Sequence, residues 1–287
     1  MTTIGIDVGG TKCLGVLVDA EGRVLRETRR PTPDAVQLVD VLLGIVDELG
    51  GNRAVGVGVP GLVTPDGVIT ASPNLRGALN VPVGPGMRSA LGGRVHVEND
   101  ATAAAHGEWT VGAARGARDA VLVALGTGIG GGIVMGGRLH RGAHGFAGEI
   151  GHMTVEADGV ECPCGRRGCW ERYASGSALK RMSGGRSGEE VVNAARGGET
   201  AALTVVDEFA RWVAVGVASL TNIVDPEVVV LGGGVMDAWD VWEEPVRRWT
   251  DRLLYASEHR ARPRIEPALL GAAAGAVGCA LLARDLS

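Results

Sequence analysis

The sequence has very little lysine and no long apolar run. Only two of its 28 basic residues are lysines, and the arginines form neither a basic run nor a stripe. The formal net charge is −5, which argues against a general attraction to nucleic acid. No apolar stretch reaches the roughly 18 residues that a membrane-spanning helix needs. We therefore expect neither a nucleic-acid-binding protein nor a membrane protein.

We also expect neither a targeting leader nor a flexible linker. The N-terminus has no basic region and no cleavage site, and a buried strand is predicted from Thr3 to Val8. No segment is of low complexity. We expect a cytoplasmic protein, in which thiols stay reduced. The 287 residues suffice for one large domain or two ordinary ones.

Glycine, by contrast, is abundant, with 47 residues against an average of roughly 7%. The glycines cluster between apolar segments, a pattern typical of tight turns and of backbone that approaches a ligand closely. This clustering argues against disorder as the explanation.

The most informative stretch, residues 144–171, holds three of the five cysteines. With one histidine they make a complete tetrahedral Zn²⁺ set of the Cys₃His type, and a closed set is structural. The four candidate ligands are His152, Cys162, Cys164 and Cys169. The alternatives are core packing, which fits poorly among Gly, Pro and Arg, and a disulfide, which leaves one thiol unpaired. Cys13 and Cys279 stand alone in apolar surroundings and are interpreted as packing residues.

Two glycine-rich segments each follow a predicted strand and precede another. The first is 9–12; the second is 126–132, after which we expect a strand from Ile133. Neither is a Walker A loop or a dinucleotide fingerprint, because those motifs lead into a helix. The first segment can bind phosphate, with Asp7 placed to hold a hydrated Mg²⁺, or it can be an ordinary hairpin with a surface lysine. The repetition predicts a duplicated domain whose two loops grip one polyphosphate across a cleft.

A predicted strand over 94–98 ends in Asn99 and Asp100, and a strongly helix-forming alanine run follows. Either residue can be the helix N-cap. A carboxylate at such a junction is also a good position for a general base. The pattern leaves both interpretations open.

Taken in order, these motifs resemble the ROK family of sugar kinases, and within it the bacterial glucokinases, over essentially the whole chain. The motifs are Asp-Val-Gly-Gly-Thr-Lys, Gly-Val-Pro-Gly, Ser-Pro-Asn-Leu, Asn-Asp-Ala, Gly-Thr-Gly-Ile-Gly-Gly-Gly, Gly-Glu-Ile-Gly-His, Cys-Pro-Cys-Gly-Arg-Arg-Gly-Cys-Trp-Glu and Leu-Gly-Gly-Gly-Val. The resemblance implies an α/β, actin-like ATPase fold of two RNase-H-like domains with the active site between them. It implies a smaller domain over 1–115, joined by a C-terminal helix over 272–287, and a larger domain over 116–271. The larger domain contains residues 144–171, here called the zinc segment.

The resemblance also implies roles for individual residues. Asp100 is expected to be the base that takes the proton of the sugar 6-hydroxyl, and His152 to serve both zinc and sugar. The expected sugar-binding residues are Gly61, Asn99, Asp100, Glu149, His152 and Glu171. The expected nucleotide- and magnesium-binding residues are Asp7, Gly9, Gly10, Thr11, Lys12, Gly126, Thr127, Gly128, Gly232, Gly233 and Gly234.

The implied activity is ATP-dependent phosphorylation of a hexose, with D-glucose as the first candidate and Mg²⁺ bound with ATP. The implied assembly is a homodimer or homotetramer. N-acetylmannosamine, fructose and a polyphosphate donor are alternatives. Many glucokinases of the family have a Trp after Pro-Asn-Leu, where this chain has Arg76-Gly77-Ala78-Leu79. Some ROK proteins are sugar-responsive repressors, but these carry a preceding helix-turn-helix domain, for which a strand at Thr3 leaves no room. Sugar binding without turnover is disfavoured by Asp100 and the two glycine loops.

Overall fold

The computed structural model describes residues 2–51, 53–72 and 75–285, which form two five-stranded sheets and a small third one. Pro73 and Asn74 of the predicted Ser-Pro-Asn-Leu motif, and the last two residues of the predicted C-terminal helix, lie outside the described residues. The first large sheet, here called the N-terminal sheet, has the order β3-β2-β1-β4-β8. Its strands are β1 (Thr3–Val8), β2 (Lys12–Val18), β3 (Val24–Pro31), β4 (Val55–Val59) and β8 (Val95–Asn99).

The second large sheet, here called the C-terminal sheet, repeats this pattern with the order β11-β10-β9-β12-β13. In each sheet, the three strands that come first in the chain pair antiparallel with one another. The two strands that come last in the chain run parallel to the first of these. The strands are β9 (Ala120–Leu125), β10 (Ile129–Met135), β11 (Arg138–His140), β12 (Val228–Gly232) and β13 (Arg264–Pro267). The repeated order agrees with the predicted duplication.

The described residues also form helices on both sides of the sheets. The α-helices are α1 (Leu38–Glu48), α2 (Val83–Leu91), α3 (Asp100–Val111), α4 (Glu171–Ala174), α5 (Gly176–Met182), α6 (Gly188–Arg196), α7 (Thr200–Val224), α8 (Trp239–Leu253) and α9 (Ala274–Asp285). Short 3₁₀ helices span Ala35–Gln37, Ile150–His152, Gly234–Ala238 and Gly271–Ala273. The longest, α7, is apolar on more than one face, and it packs Phe209 and Val213 into the core of the C-terminal half, as its sequence predicts.

Helices α3 and α9 pack against each other between the two sheets. A β-carbon on Gly278 of α9 would lie 1.7 Å from the backbone oxygen of Ala103 in α3. Glycine is therefore required there, because any side chain would force the two helices apart. The Gly- and Ala-rich sequence of α9 predicts this close packing. The helix also buries Ala276 and Leu281 against Leu14 and Val16 of the N-terminal sheet.

The second glycine segment is shorter than predicted, because its last three glycines belong to a strand. Gly130 and Gly132 face α3, where β-carbons would lie 2.7 Å and 2.4 Å from the β-carbons of Ala101 and Ala105. Gly131 faces the other way, toward the side chain of Ile150. Alternate residues of a strand point to opposite faces, so these glycines let a helix and a loop approach both faces of β10. The predicted strand start at Ile133 is wrong; β10 starts at Ile129.

Several short elements have no clear sequence signal. The small third sheet consists of β5 (Leu62–Val63), β6 (Ile69–Ala71) and β7 (Leu79–Val81), with the order β5-β6-β7. Strands of two or three residues are too short to display a hydrophobic period. Helix α2 contains two glycines, which lower helix propensity and hide it from a pattern search.

Candidate active site

A cavity of about 520 Å³ lies between the two halves of the molecule. The end of β8 and the start of α3 line one side, and the segments around Gly126 and Glu149 line the other. Thirteen of the predicted site residues are among its lining residues. They are Asp7, Gly61, Asn99, Asp100, Gly126, Thr127, Gly128, Glu149, His152, Cys164, Glu171, Gly232 and Gly233.

The junction between β8 and α3 resolves which of its two residues is the cap. The side-chain oxygen of Asn99 accepts from the Thr102 amide at 2.9 Å, so Asn99 is the N-cap. Its side-chain amide donates to the carbonyl of Gly61 at 3.2 Å, which ties the cap to the turn after β4. Asp100 is the first helical residue, and one of its carboxylate oxygens accepts from the Ala101 amide at 2.8 Å.

Burial in the cavity perturbs three of its carboxyl groups. Burial, with the nearby charge of Asp7, raises the pKa of Asp100 to about 7. Burial raises the pKa of Asp7 to about 6. The pKa of Glu149 is also raised, by burial and by the charge of Glu171. A helix N-terminus by itself favours an ionised carboxylate, but the pKa of Asp100 shifts the opposite way because desolvation and the like charge of Asp7 outweigh the amides. Clustered carboxyl groups with raised pKa values are typical of functional sites.

The carboxylates of Glu149 and Glu171 both line the cavity from residues 144–171. Glu149 precedes the 3₁₀ helix Ile150–His152, and its carboxylate lies 3.9 Å from Nε2 of His152. Glu171, at the start of α4, accepts from the amide of Ile129 at 3.4 Å and from Sγ of Cys162 at 3.1 Å. Glu171 is therefore held by two hydrogen bonds, whereas the nearest partner of the Glu149 carboxylate is the His152 ring.

The four predicted zinc ligands lie together. One potential ligand atom from each of the four residues lies within 4.8 Å of all the others. Sγ of Cys164 and Sγ of Cys169 are 3.6 Å apart, far longer than a bond of roughly 2.05 Å, and all five cysteines are free. Nδ1 of His152 is buried and has no hydrogen-bond partner among the described residues. A buried ring nitrogen without a protein partner, beside three thiols, fits a metal cation.

The two glycine loops are placed differently. Gly126 and Thr127 line the cavity together with Gly232 and Gly233. Gly234 lines a second cavity of about 890 Å³, which adjoins the first at Gly126 and Thr127. The four residues of the first loop are not among the lining residues of either cavity. These are Gly9, Gly10, Thr11 and Lys12.

The first loop forms a turn that joins the end of β1 to the start of β2 in the N-terminal sheet. The amide of Gly9 donates to the carbonyl of Lys12 at 3.0 Å, and this bond closes the hairpin between β1 and β2. The amide of Gly9 is therefore engaged within the turn. The side chain of Lys12 is exposed.

Three of the lining residues that the sequence interpretation did not name bear on the chemistry of the site. Arg172 is the only arginine or lysine among the residues described as lining the first cavity. Ser177 donates its hydroxyl hydrogen to the carbonyl of Thr127 at 2.8 Å. Gly275 lies against Asp7, where a β-carbon would come 2.9 Å from the carboxyl carbon. Arg172 directly follows the predicted ligand Glu171, but nothing in the sequence singles out the other two.

Within the described residues, no helix combines the length and the apolar character that crossing a membrane requires. A family model described as "ROK family" matches residues 3–286. A glucokinase of Streptomyces coelicolor is 36% identical, covering 99% of this chain and 98% of the relative.

Two solved structures are also similar over the full length. One is a ROK family glucokinase from Streptomyces griseus in complex with glucose and AMPPNP, with a TM-score of 0.90, 38% identity, and coverage of 99% of this chain and 100% of that chain. The other is a ROK hexokinase from Thermus thermophilus, with a TM-score of 0.82, 36% identity, and coverage of 100% and 99%. The predicted resemblance and fold class are confirmed: the chain has the actin-like ATPase fold and belongs to the ROK family.

Proposed function

We propose that the protein is an ATP-dependent sugar kinase that phosphorylates a hexose at its 6-hydroxyl, with D-glucose as the first candidate. The observation that carries this proposal is the position of Asp100, whose buried carboxyl group shares one cavity with Glu149, Glu171 and the loop at Gly126. The full-length relatives named as glucokinases support it, as does the ROK glucokinase structure with glucose and AMPPNP.

In the proposed reaction the sugar lies between Asp100 and the zinc segment. Carboxylates, amides and imidazole suit sugar hydroxyls, since they accept and donate hydrogen bonds at fixed positions. The proposed hydroxyl ligands are Gly61, Asn99, Asp100, Glu149, His152 and Glu171. Ionised Asp100 takes the proton as the sugar oxygen bonds to the γ-phosphorus, and the bond from that phosphorus to the β–γ bridging oxygen breaks to release ADP.

The nucleotide is proposed to lie along the glycine segments of the C-terminal half. Gly126, Thr127 and Gly128 would offer backbone to the phosphates, and Gly232 to Gly234 would face the adenosine. Mg²⁺ bound with ATP would neutralise phosphate charge. The Asp7 carboxylate would hold this ion through its water ligands, because hard cations prefer oxygen ligands. We retain Gly9 to Lys12 as a proposed phosphate contact. Substitution of Lys12, whose side chain is exposed, tests this contact.

We further propose that His152, Cys162, Cys164 and Cys169 hold one structural Zn²⁺. The juxtaposed ligand atoms and the unpartnered Nδ1 of His152 support this. When bound, the metal would fix the loop that carries Glu149 and the start of α4, which carries Glu171.

We also propose that the two large sheets mark two domains, 1–115 with 272–287 and 116–271, and that α9 belongs with the first, against which it packs.

A coupled assay of ADP release with a panel of hexoses tests the proposal. We expect D-glucose to give the highest kcat/KM, ahead of N-acetylmannosamine and fructose, and ATP to exceed polyphosphate as donor. Asp100→Asn is the control for contaminating kinases. Absence of ADP release with every hexose would overturn the proposal. Light scattering tests the predicted homodimer or homotetramer.

A further inference from the structure

Glu98, the residue before the Asn99 cap, is a buried carboxylate that the proposed reaction does not use. It is 4% exposed, near the end of β8 in the N-terminal sheet. Its Oε2 accepts from Nε of Arg141 at 2.6 Å and lies 3.4 Å from Nε2 of His96. Its Oε1 accepts from the amide of Asn99 at 3.2 Å. The carboxylate is therefore hydrogen-bonded both to the backbone at the junction of β8 and α3 and to an arginine that is distant in sequence.

That arginine comes from the other half of the molecule. Arg141 directly follows β11, the edge strand of the C-terminal sheet, and it opens the loop that ends at Glu149. Its carbonyl accepts from the amide of Ala147 at 3.1 Å, which closes the loop on itself. The Arg141 side chain therefore joins the loop that carries a proposed sugar ligand to the strand that leads into Asp100.

A second contact holds the same loop to the N-terminal half. Gly145 has a φ of +88°, and a β-carbon on it would lie 2.6 Å from the carbonyl oxygen of Val63 in β5. The loop at 141–149 thus rests on the N-terminal half at two points, one a close backbone approach and one an ion pair. Two points of contact restrict sliding as well as separation.

In this ion pair the carboxylate is shielded from water, whereas the guanidinium is partly exposed. The side chain of Glu98 is 6% exposed, and that of Arg141 is 38% exposed. Burial alone would raise the pKa of Glu98, but the hydrogen bond from His96 and the charge of Arg141 outweigh it and lower that pKa. Loss of the arginine would leave a buried carboxylate with a much weaker partner, and such loss is far more costly than loss of a surface pair.

We propose that Glu98 and Arg141 are positioning residues, whose ion pair fixes the loop carrying Glu149 at a set distance from Asp100. The inference rests on the proposed function for its kinetic consequence. Small displacements of a reacting group lower rates strongly, because attack requires near-contact geometry. Removing the pair should therefore impair turnover and sugar binding, and affect the nucleotide less.

Kinetics of Glu98→Gln, Arg141→Gln and the double variant test the pairing. We expect each single variant to lower kcat/KM for the sugar by about tenfold to a hundredfold, with a smaller change in the nucleotide KM. The double variant should be hardly worse than either single one, since both remove the same contact. Arg141→Lys, which keeps the charge, should restore part of the activity. Arg138→Gln is the matched control, because Arg138 is an exposed arginine on β11, the strand that Arg141 follows. Additive losses, or losses no larger than in the control, would overturn the proposal.

Amide hydrogen exchange of the ligand-free protein separates this inference from the proposed function. We expect faster exchange across 142–152 in Glu98→Gln and Arg141→Gln, and unchanged exchange in Arg138→Gln and across α7. If the wild type proves inactive with every hexose, faster exchange still supports the positioning contact. Unchanged exchange in both variants would overturn it, whatever their activity. Should either glutamine variant fail to fold, Arg141→Lys gives the same comparison in a milder form.

Discussion

At the residue scale, Asp100 has to be ionised to act as a base, yet its surroundings favour the protonated form. Its pKa is raised to about 7, by burial and by the charge of Asp7. A base with a pKa near the working pH combines a useful fraction of the ionised form with proton affinity. Bound cations would favour ionisation further, since an adjacent positive charge lowers a carboxyl pKa.

We predict that Asp100→Asn lowers kcat by at least about a hundredfold, because general-base losses are typically ~10²–10⁴-fold. The cap on α3 is Asn99, so the helix should persist and glucose should still bind. Steady-state kinetics and calorimetric titration with glucose measure the two effects. Asp34→Asn, an exposed aspartate elsewhere, is the control. Near-normal turnover would mean that Asp100 is only the first residue of a helix.

Lys12 provides a second test at this scale. We predict that Lys12→Ala raises the apparent KM for ATP more than the KM for the sugar, because the hairpin is remote from the zinc segment. Lys12→Arg retains the charge and should recover most of the affinity for ATP. Kinetics with either substrate varied would measure both constants. Equal changes in both, or none, would favour a surface lysine, which agrees with its place outside both cavities.

Among the elements, the zinc segment was the most predictable from sequence, whereas the start of β10 was placed wrongly. Four residues of metal-ligating types, one His and three Cys, lie within a short stretch, so composition and spacing already predict that they lie together. A glycine in β10 gives no such information, since loops and closely packed strands both select it. That Gly130 and Gly132 accommodate α3 depends on Ala101 and Ala105, and no local pattern links these positions. The junction at Asn99 was likewise ambiguous, because both of its residues are good caps.

We predict about one zinc per chain in protein purified without added metal, on the Cys₃His chemistry of the site. Cys164→Ala should reduce the metal content and lower the melting temperature, because metal binding is coupled to folding of its ligands. Elemental analysis and thermal unfolding measure these. Cys13→Ala, at a cysteine outside the cluster, should retain the metal. Metal content near zero in an active enzyme would contradict the prediction.

For the molecule as a whole, the repeated sheets bring together acidic groups that are far apart in the sequence. Asp7 lies on β1, Asp100 begins α3, and Glu149 follows β11, yet all three line one cavity. The described lining residues include one arginine, so the free protein carries excess negative charge there. Burial raises the pKa values of all three, and a neighbouring negative charge raises those of Asp100 and Glu149 further. Such a site is suited to a substrate that brings its own cation, which is how a nucleotide with Mg²⁺ binds.

This charge arrangement predicts how stability depends on pH. Asp7 and Asp100 have ordinary pKa values near 3.8 and folded values of about 6 and about 7. Between these limits the folded state holds protons that the unfolded state has released, so folding stability falls as pH rises. The loss begins near pH 4 and is complete above about pH 7. His106 acts in the opposite sense, because burial lowers its pKa and protonation at low pH disfavours the folded state.

We therefore predict that the double variant Asp7→Asn, Asp100→Asn is more stable than the wild type at pH 8, by roughly 1–3 kcal/mol. The gain should shrink toward zero near pH 4–5, where the wild-type carboxyls are protonated as well. Comparing the two proteins at each pH cancels the contribution of His106, which both retain. Thermal unfolding without ligands at pH 8 and pH 5 measures the difference. Glu98→Gln is the control of opposite sign, because the pKa of Glu98 is lowered and its ionised form stabilises the fold at pH 8. A double variant that is less stable at pH 8, or a gain that does not vary with pH, would mean that the cavity does not disfavour the ionised forms of Asp7 and Asp100 in the free protein.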